Sequence, residues 1–293
     1  MDVQTVTVLG SGTMGAGIAQ VCAQAGYDTR LYDADGLAVE RGMQRIRDFW
    51  EKGIAKGKTT TVQRDAWRAK LHPVSDLAAA MQGVDLVIEA VPEDLALKQR
   101  LFAECDKLAP RTAILASNTS SLSIEAIASA TQRPKRVLGL HFFNPVPLMQ
   151  LLEIVRHDDV LDDVLVTARA FGAKLGKTTI TVKDSPGFAT SRLGIVLGNE
   201  AMRMLEEGVA SAKDIDTAMK LGYGHPMGPL ELSDLVGLDI RHNVSTYLHG
   251  QFGGAHYKPP AIATRLVKAG ELGKKTGKGF YDWSSGEPKE RKL

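Results

Sequence analysis

Val3-Gln4-Thr5-Val6-Thr7-Val8-Leu9-Gly10-Ser11-Gly12-Thr13-Met14-Gly15 decides how the first half of this chain folds. Val3 to Leu9 is an alternating run rich in β-branched residues, the pattern of a buried strand. Beyond it, Ile18, Val21, Cys22 and Ala25 recur at helical spacing, and Gly26 supplies a natural stop. Between strand and helix stands G-x-G-x-x-G, the setting in which that pattern reads as a dinucleotide-phosphate loop and not as a chance turn. Gly10 permits the tight turn, Gly12 lets a pyrophosphate approach the backbone, and Gly15 allows close helix–strand packing. The helix start at Thr13 and Met14 offers unpaired N–H groups and a positive dipole end to phosphates. Asp33 ends a second strand, Thr29 to Tyr32, where a carboxylate accepts hydrogen bonds from a ribose 2′-OH and repels a 2′-phosphate. NAD is therefore expected over NADP. Arg30 precedes the strand end and reads as a surface residue.

Further short buried-type strands, Asp85 to Ala90 and Ala113 to Ala116, are each followed by helical pattern. Strand–helix alternation of this kind implies a mainly parallel sheet with helices on both faces. After the run Thr178 to Val182, the cluster Lys183-Asp184-Ser185-Pro186-Gly187 marks a boundary. Helix formers then run from Arg192 to Glu207 and stop at Gly208. Ser211 with Asp214 begins another helix, which closes at Gly222. The expected architecture is α/β: a Rossmann-type domain over 1–184, then an all-helical domain over 185–293. Two domains suit a chain of 293 residues, since one core serves about 100–200.

With 44% hydrophobic and 24% charged residues the chain can bury a substantial core, which argues against disorder. A net charge of +2, with no segment rich in both basic and aromatic residues, argues against a nucleic-acid partner. The basic ending Lys289 to Lys292 reads as a solvated tail. Cys22 and Cys105 have neither metal nor redox spacing, so no disulfide and no metal site is expected, in keeping with a reducing cytosol. No apolar run reaches about 18 residues and the start lacks a signal-peptide pattern, so no membrane span and a cytoplasmic location are expected.

Chemistry gathers in the middle of the chain. An apolar stretch from Val137 reaches His141 and enters the turn Asn144-Pro145-Val146-Pro147; a second, Leu148 to Val155, contains a single acid, Glu153. Two strands joined by that turn can bring His141 and Glu153 together. A carboxylate fixes the tautomer of an imidazole and favours its protonated form, which suits it to take a hydroxyl proton while hydride leaves the same carbon. A histidine beside Phe142 and Phe143 can equally be a packing residue, and spacing alone leaves this open. In the serine-rich tract 117–123, Ser121 and Ser123 read as helix caps. Lys52, Lys56 and Lys58 suit either the phosphates of a ligand or a solvated helix face. His225 lies in a Pro-flanked turn; His72, His157, His242, His249 and His256 read as surface residues.

Over essentially its whole length the sequence resembles the 3-hydroxyacyl-CoA dehydrogenase family. The resemblance is carried by Gly10 to Gly15, Ser117-Asn118-Thr119-Ser120-Ser121-Leu122, His141-Phe142-Phe143-Asn144-Pro145, Asp184-Ser185-Pro186-Gly187-Phe188, His225-Pro226-Met227-Gly228-Pro229 and the run Gly273 to Tyr281. It implies an NAD-dependent oxidoreductase acting on an (S)-3-hydroxyacyl-CoA, of short chain such as 3-hydroxybutyryl-CoA, a step used in fatty acid metabolism. His141 would be the general base and Glu153 its partner. Ser120 would hydrogen-bond the substrate oxygen, Asn144 would lie near nicotinamide and substrate, and Glu93 and Lys98 would contact the cofactor ribose. A homodimer formed through the helical domain is also implied. At one position the chain departs from the family: Ser191 stands where Asn is common, a hydroxyl on a shorter arm to hold a substrate oxygen. Two other readings stay open. A dehydrogenase of a free hydroxy acid or sugar acid would want a cation for the carboxylate, for which only Arg192 offers itself in the matching motifs. A non-catalytic NAD sensor would have no use for the His141–Glu153 pair.

Overall fold

The opening run forms strand β1 (Thr5–Leu9), buried except for its first residue. It pairs in parallel with β2 (Asp28–Tyr32) on one side and β4 (Leu86–Glu89) on the other. The eight-stranded sheet continues outward through β3 (Leu71–Val74), and inward through β5 (Ile114–Ser117), β6 (Val137–Phe142), β7 (Leu151–Arg156) and β8 (Thr178–Lys183), in the order β3-β2-β1-β4-β5-β6-β7-β8. All neighbours are parallel except β6 and β7. Every residue of β4, β5 and β6 is buried, as expected of strands covered on both faces. β8 is an edge strand, half exposed and rich in threonine.

Helices α1 (Thr13–Gln24), α2 (Gly36–Ala55), α3 (Thr61–Arg68), α4 (Leu77–Met81), α5 (Leu95–Leu108), α6 (Ile124–Ala128) and α7 (Asp162–Lys174) fill the connections. Strand order reverses between β1 and β4, the topological switch point at which open α/β sheets bind ligands. Arg30, read as a surface residue, is half-buried. Its Nη1 donates to the carbonyls of Ala79, Ala80 and Gln82 at the C-terminal end of α4. His157 likewise departs from expectation: it is buried, bonded through Nε2 to the Pro134 carbonyl.

The structure, a computed structural model, describes residues 2–293, and the chain divides between Ser185 and Pro186 into two compact units. The second is built on α8 (Thr190–Glu206), α9 (Ala212–Thr217), α10 (Pro229–Val236), α11 (Leu238–Phe252) and α12 (Ala261–Lys268), with a short pair β9 (Tyr281–Asp282) and β10 (Lys289–Glu290). The basic ending, read as a solvated tail, is exposed at Lys289 and Lys292, yet it begins in a paired strand and its Arg291 is half-buried against Glu271, Nη2 to Oε2 at 2.8 Å. Phe280, Tyr281 and Trp283 join Leu230 and Leu238 in the core of this unit. Asp234 anchors that segment: its carboxylate accepts from Phe280 N, Tyr281 N and Trp283 Nε1, each at 2.8 Å. Burial pushes the Asp234 carboxyl up from its ordinary range, while these donors oppose the rise. Asp234→Ala would leave three buried donors unpaired. A stability loss of about 3–5 kcal/mol is expected, read as the shift of the denaturant midpoint. An unchanged midpoint would mean that the segment is held by apolar contact alone.

Candidate active site

The glycine loop is built by close approach. At Gly10 φ is +91°, and a Cβ there would lie 2.7 Å from the Ala90 carbonyl oxygen, so β1 and β4 enter their loops almost in contact. A Cβ at Gly15 would sit 1.7 Å from the Gly10 carbonyl oxygen, which leaves that position to glycine. At Gly12 a Cβ would meet nothing within 4 Å. Gly12 is also the N-cap of α1 and carries no side-chain cap, so the first-turn donors at Thr13 and Met14 are left to a ligand. Asp33 stands one residue past β2. Its Oδ2 accepts from Ser11 N (2.8 Å) and Ser11 Oγ (2.9 Å), and its Oδ1 from Asp35 N (3.2 Å), which fixes the half-buried carboxylate beside the loop. An open glycine backbone, an uncapped helix start and a fixed acid after β2 fit a dinucleotide.

His141 and Glu153 occupy paired positions in the antiparallel β6–β7 ladder, so their side chains share one face of the sheet. Their contact, Nδ1 to Oε2, is 2.6 Å. Glu153 is 0% exposed and His141 6%. Because a carboxylate only accepts, Nδ1 is the donor and proton exchange falls to Nε2. The Phe143 ring lies 4.4 Å from the imidazole, centroid to centroid. The packing reading of His141 is therefore half right: the ring does pack, but against a charged partner. Asn118, which sequence reasoning left without a role, ties this end of β6 to the serine tract through its Oδ1, which accepts from Phe142 N at 2.8 Å.

Glu93 organises the tract itself. Its Oε1 accepts from Thr119 Oγ1 (2.5 Å), Ser120 N (3.2 Å) and Ser121 Oγ (3.2 Å). Ser121 is therefore a partner of Glu93 and not a cap, because the carboxylate offers its hydroxyl a stronger acceptor. Ser123 caps α6 as expected, accepting from Ala126 N. Lys98, from α5, is almost fully buried against Glu89, with Nζ 2.6 Å from Glu89 Oε1. Glu89 was missed in the sequence, although an acid closing the apolar run Leu86-Val87-Ile88 was the available signal, since a buried carboxylate demands a partner. Asn144 is exposed and precedes Pro145 across a cis peptide bond.

Gly10, Gly12, Thr13, Met14, Gly15, Asp33, Glu93, Lys98, Ser120, His141, Asn144 and Glu153 all belong to the first unit; Ser191 lies in the first turn of α8 in the second. Arg192, the one cation available for a free carboxylate, is engaged. Its Nε donates to Tyr257 Oη at 2.7 Å and its guanidinium lies 4.3 Å over the Phe252 ring. Cys22 and Cys105 are buried, and burial pushes both thiols up, Cys105 to about 12, so neither supplies a thiolate. Among the described residues, no group of three or more His, Cys, Asp or Glu could hold a metal ion, and no helix is long and apolar enough to cross a membrane.

Comparison with known proteins agrees with this geometry. Residues 5–185 match the family model for the 3-hydroxyacyl-CoA dehydrogenase NAD-binding domain, and 187–283 that for the C-terminal domain of the same family. A probable 3-hydroxybutyryl-CoA dehydrogenase of Bacillus subtilis is 41% identical over 97% of this chain and 98% of its own length. The crystal structure of (S)-3-hydroxybutyryl-CoA dehydrogenase PaaH1 from Ralstonia eutropha is 39% identical with a TM-score of 0.92, covering 96% of this chain and 99% of that one. That of FadB2 from M. tuberculosis is 42% identical with a TM-score of 0.93 over the same shares.

Proposed function

The chain belongs to the 3-hydroxyacyl-CoA dehydrogenase family, and from that premise we propose that it oxidises (S)-3-hydroxyacyl-CoA reversibly to 3-ketoacyl-CoA, with short-chain thioesters such as 3-hydroxybutyryl-CoA as substrates. The observation that carries the proposal is the buried 2.6 Å contact between His141 and Glu153. NAD is the cofactor, and when bound it supplies the hydride acceptor. Gly10, Gly12 and Gly15 with the donors at Thr13 and Met14 hold its pyrophosphate; Asp33 and Glu93 hold its riboses. His141 Nε2 takes the C3 hydroxyl proton, and Glu153 stabilises the imidazolium so formed. In reduction the same nitrogen returns the proton. Ser120 donates to the substrate oxygen. Asn144 orients substrate and nicotinamide.

The test is NADH oxidation with acetoacetyl-CoA, run beside free acetoacetate and beside NADPH. Turnover with the thioester and NADH alone is expected. Turnover on the free acid instead would transfer the site to hydroxy-acid chemistry, against the engagement of Arg192 by Tyr257 and Phe252. Activity with NADPH equal to that with NADH would remove the role of Asp33.

We further propose a cytoplasmic homodimer. Two buried free thiols suit a reducing compartment. The helical unit leaves Leu193, Leu221, Leu235 and Ile240 substantially exposed, apolar surface of the kind that subunit contacts cover. Size-exclusion chromatography with light scattering is expected to give the mass of two chains. A single-chain mass at micromolar concentration would overturn the assembly.

A further inference from the structure

Lys177 stands in the connection between α7 and β8, within the first unit. Among the described residues it meets no acid. Its Nζ donates instead to two backbone carbonyls, Val146 at 2.6 Å and Met149 at 2.5 Å. Both belong to the connection between β6 and β7, which makes one helical turn: Leu148 N and Met149 N donate to the Pro145 carbonyl at 2.9 and 3.0 Å. A single turn leaves its later carbonyls without helical partners, and Lys177 supplies donors to two of them. The backbone that carries this ammonium is itself fixed. Lys177 N donates to the Gly172 carbonyl at 3.0 Å, and Thr178 N to the Gln150 carbonyl at 2.8 Å. On its other side the turn rests on α1: Val146 is buried, and a Cβ at Gly17 would lie 3.0 Å from the Val146 Cβ. The turn is thus held between the cofactor helix and the end of α7.

Burial pushes the Lys177 ammonium below the usual lysine range, a desolvation cost that an apolar side chain would not incur. Packing is therefore a poor reason for a lysine here, and backbone position is a better one. The turn begins at Asn144, close behind His141, and leads into the strand that carries Glu153. Asn144 is exposed, so its place depends on the backbone beneath it. We infer that Lys177 is a positioning residue for the dehydrogenase reaction: it pins the β6–β7 turn and thereby sets Asn144 against substrate and nicotinamide, touching neither itself. The inference rests on the proposed role of Asn144.

The test is a double-mutant cycle of Lys177→Met and Asn144→Ala on the full chain, read by steady-state kinetics with acetoacetyl-CoA and by fluorescence titration of NADH. Asn144→Ala is expected to lower kcat/KM for the thioester by about tenfold or more, since lost orientation acts on the reacting geometry. Lys177→Met keeps an arm of similar reach and removes its donors. It is expected to lower kcat/KM by about tenfold in the wild type, and by less than about twofold once Asn144 is already Ala. NADH affinity should stay within about twofold throughout the lysine substitution, because the glycine loop and Asp33 hold the cofactor from other connections. A lysine that served stability alone would act differently: kcat/KM would fall equally in both backgrounds, and NADH affinity would fall with it. That result, or no loss from Lys177→Met in either background, overturns the inference. Normal kcat/KM in Asn144→Ala overturns the proposed role of Asn144 instead, and the inference with it. Should Lys177→Met not fold, Lys177→Gln answers the same question. It keeps one amide donor on a shorter arm, and its effect should likewise vanish in the Asn144→Ala background.

Discussion

His141→Gln is expected to lower kcat in both directions by about a hundredfold or more, with the NADH dissociation constant nearly unchanged. Gln has a similar reach and can hydrogen-bond Glu153, so the β6–β7 pairing should survive and folding should not confound the result. What is lost is a group that can hold the proton between substrate and solvent. The 2.6 Å contact with a fully buried carboxylate makes the expectation specific. Removing the charge of that carboxylate by Glu153→Gln withdraws the stabilisation of an imidazolium, so the pH–rate profile should change and kcat should fall less than in the histidine variant. Near-normal turnover in His141→Gln would take the histidine out of the mechanism. An unshifted profile in Glu153→Gln would leave Glu153 a structural partner only.

Sequence made some of this site legible and hid the rest, for reasons that concern range. The strand, glycine turn and helix over Thr5–Gln24 could be read because the alternation, the glycine spacing and the helical period that signal them are local, even though β1 is completed by distant partners. The His141–Glu153 pair could be anticipated because one connection joins β6 to β7, and an antiparallel return brings the two positions into register. The Glu89 partnership with Ser117 spans 28 positions, and that of Asp234 with Trp283 spans 49. No local pattern announces such contacts. The only trace of Glu89 was an acid where an apolar residue was due. Ser121 was misread for the same reason: a hydroxyl just before a helix looks like a cap until Glu93 arrives from another loop. His157 looked polar and hence exposed, yet the carbonyl of Pro134 satisfies it in the interior. Helix α2 (Gly36–Ala55) gives little apolar signal, because its buried face is only Val39, Gly42, Ile46 and Trp50 amid many charges.

Gly15→Ala should be the most damaging single change in the cofactor loop, and Gly12→Ala shows why. The new methyl at position 15 would lie 1.7 Å from the Gly10 carbonyl oxygen and 2.8 Å from its carbon, distances that no rotamer can relieve because Ala has none. Either α1 moves away from the turn or the turn opens. The first course drags Ile18, Ala19 and Cys22, all fully buried, out of the main core; the second displaces the donors that meet the phosphates. Overpacking of this kind costs about 1–3 kcal/mol or more. If that cost falls on the bound geometry, NADH affinity drops by about tenfold or more, and the melting temperature should fall as well. At position 12 a methyl meets no protein atom within 4 Å and φ is −62°, so Gly12→Ala should melt normally. Its methyl would nonetheless stand where a pyrophosphate must approach, so NADH affinity should fall without any loss of stability. Titration and melting of the two variants together therefore separate packing from recognition. If Gly12→Ala binds NADH as tightly as the wild type, the phosphates do not lie over this loop, and Asp33 must then be read as no more than the anchor of Ser11.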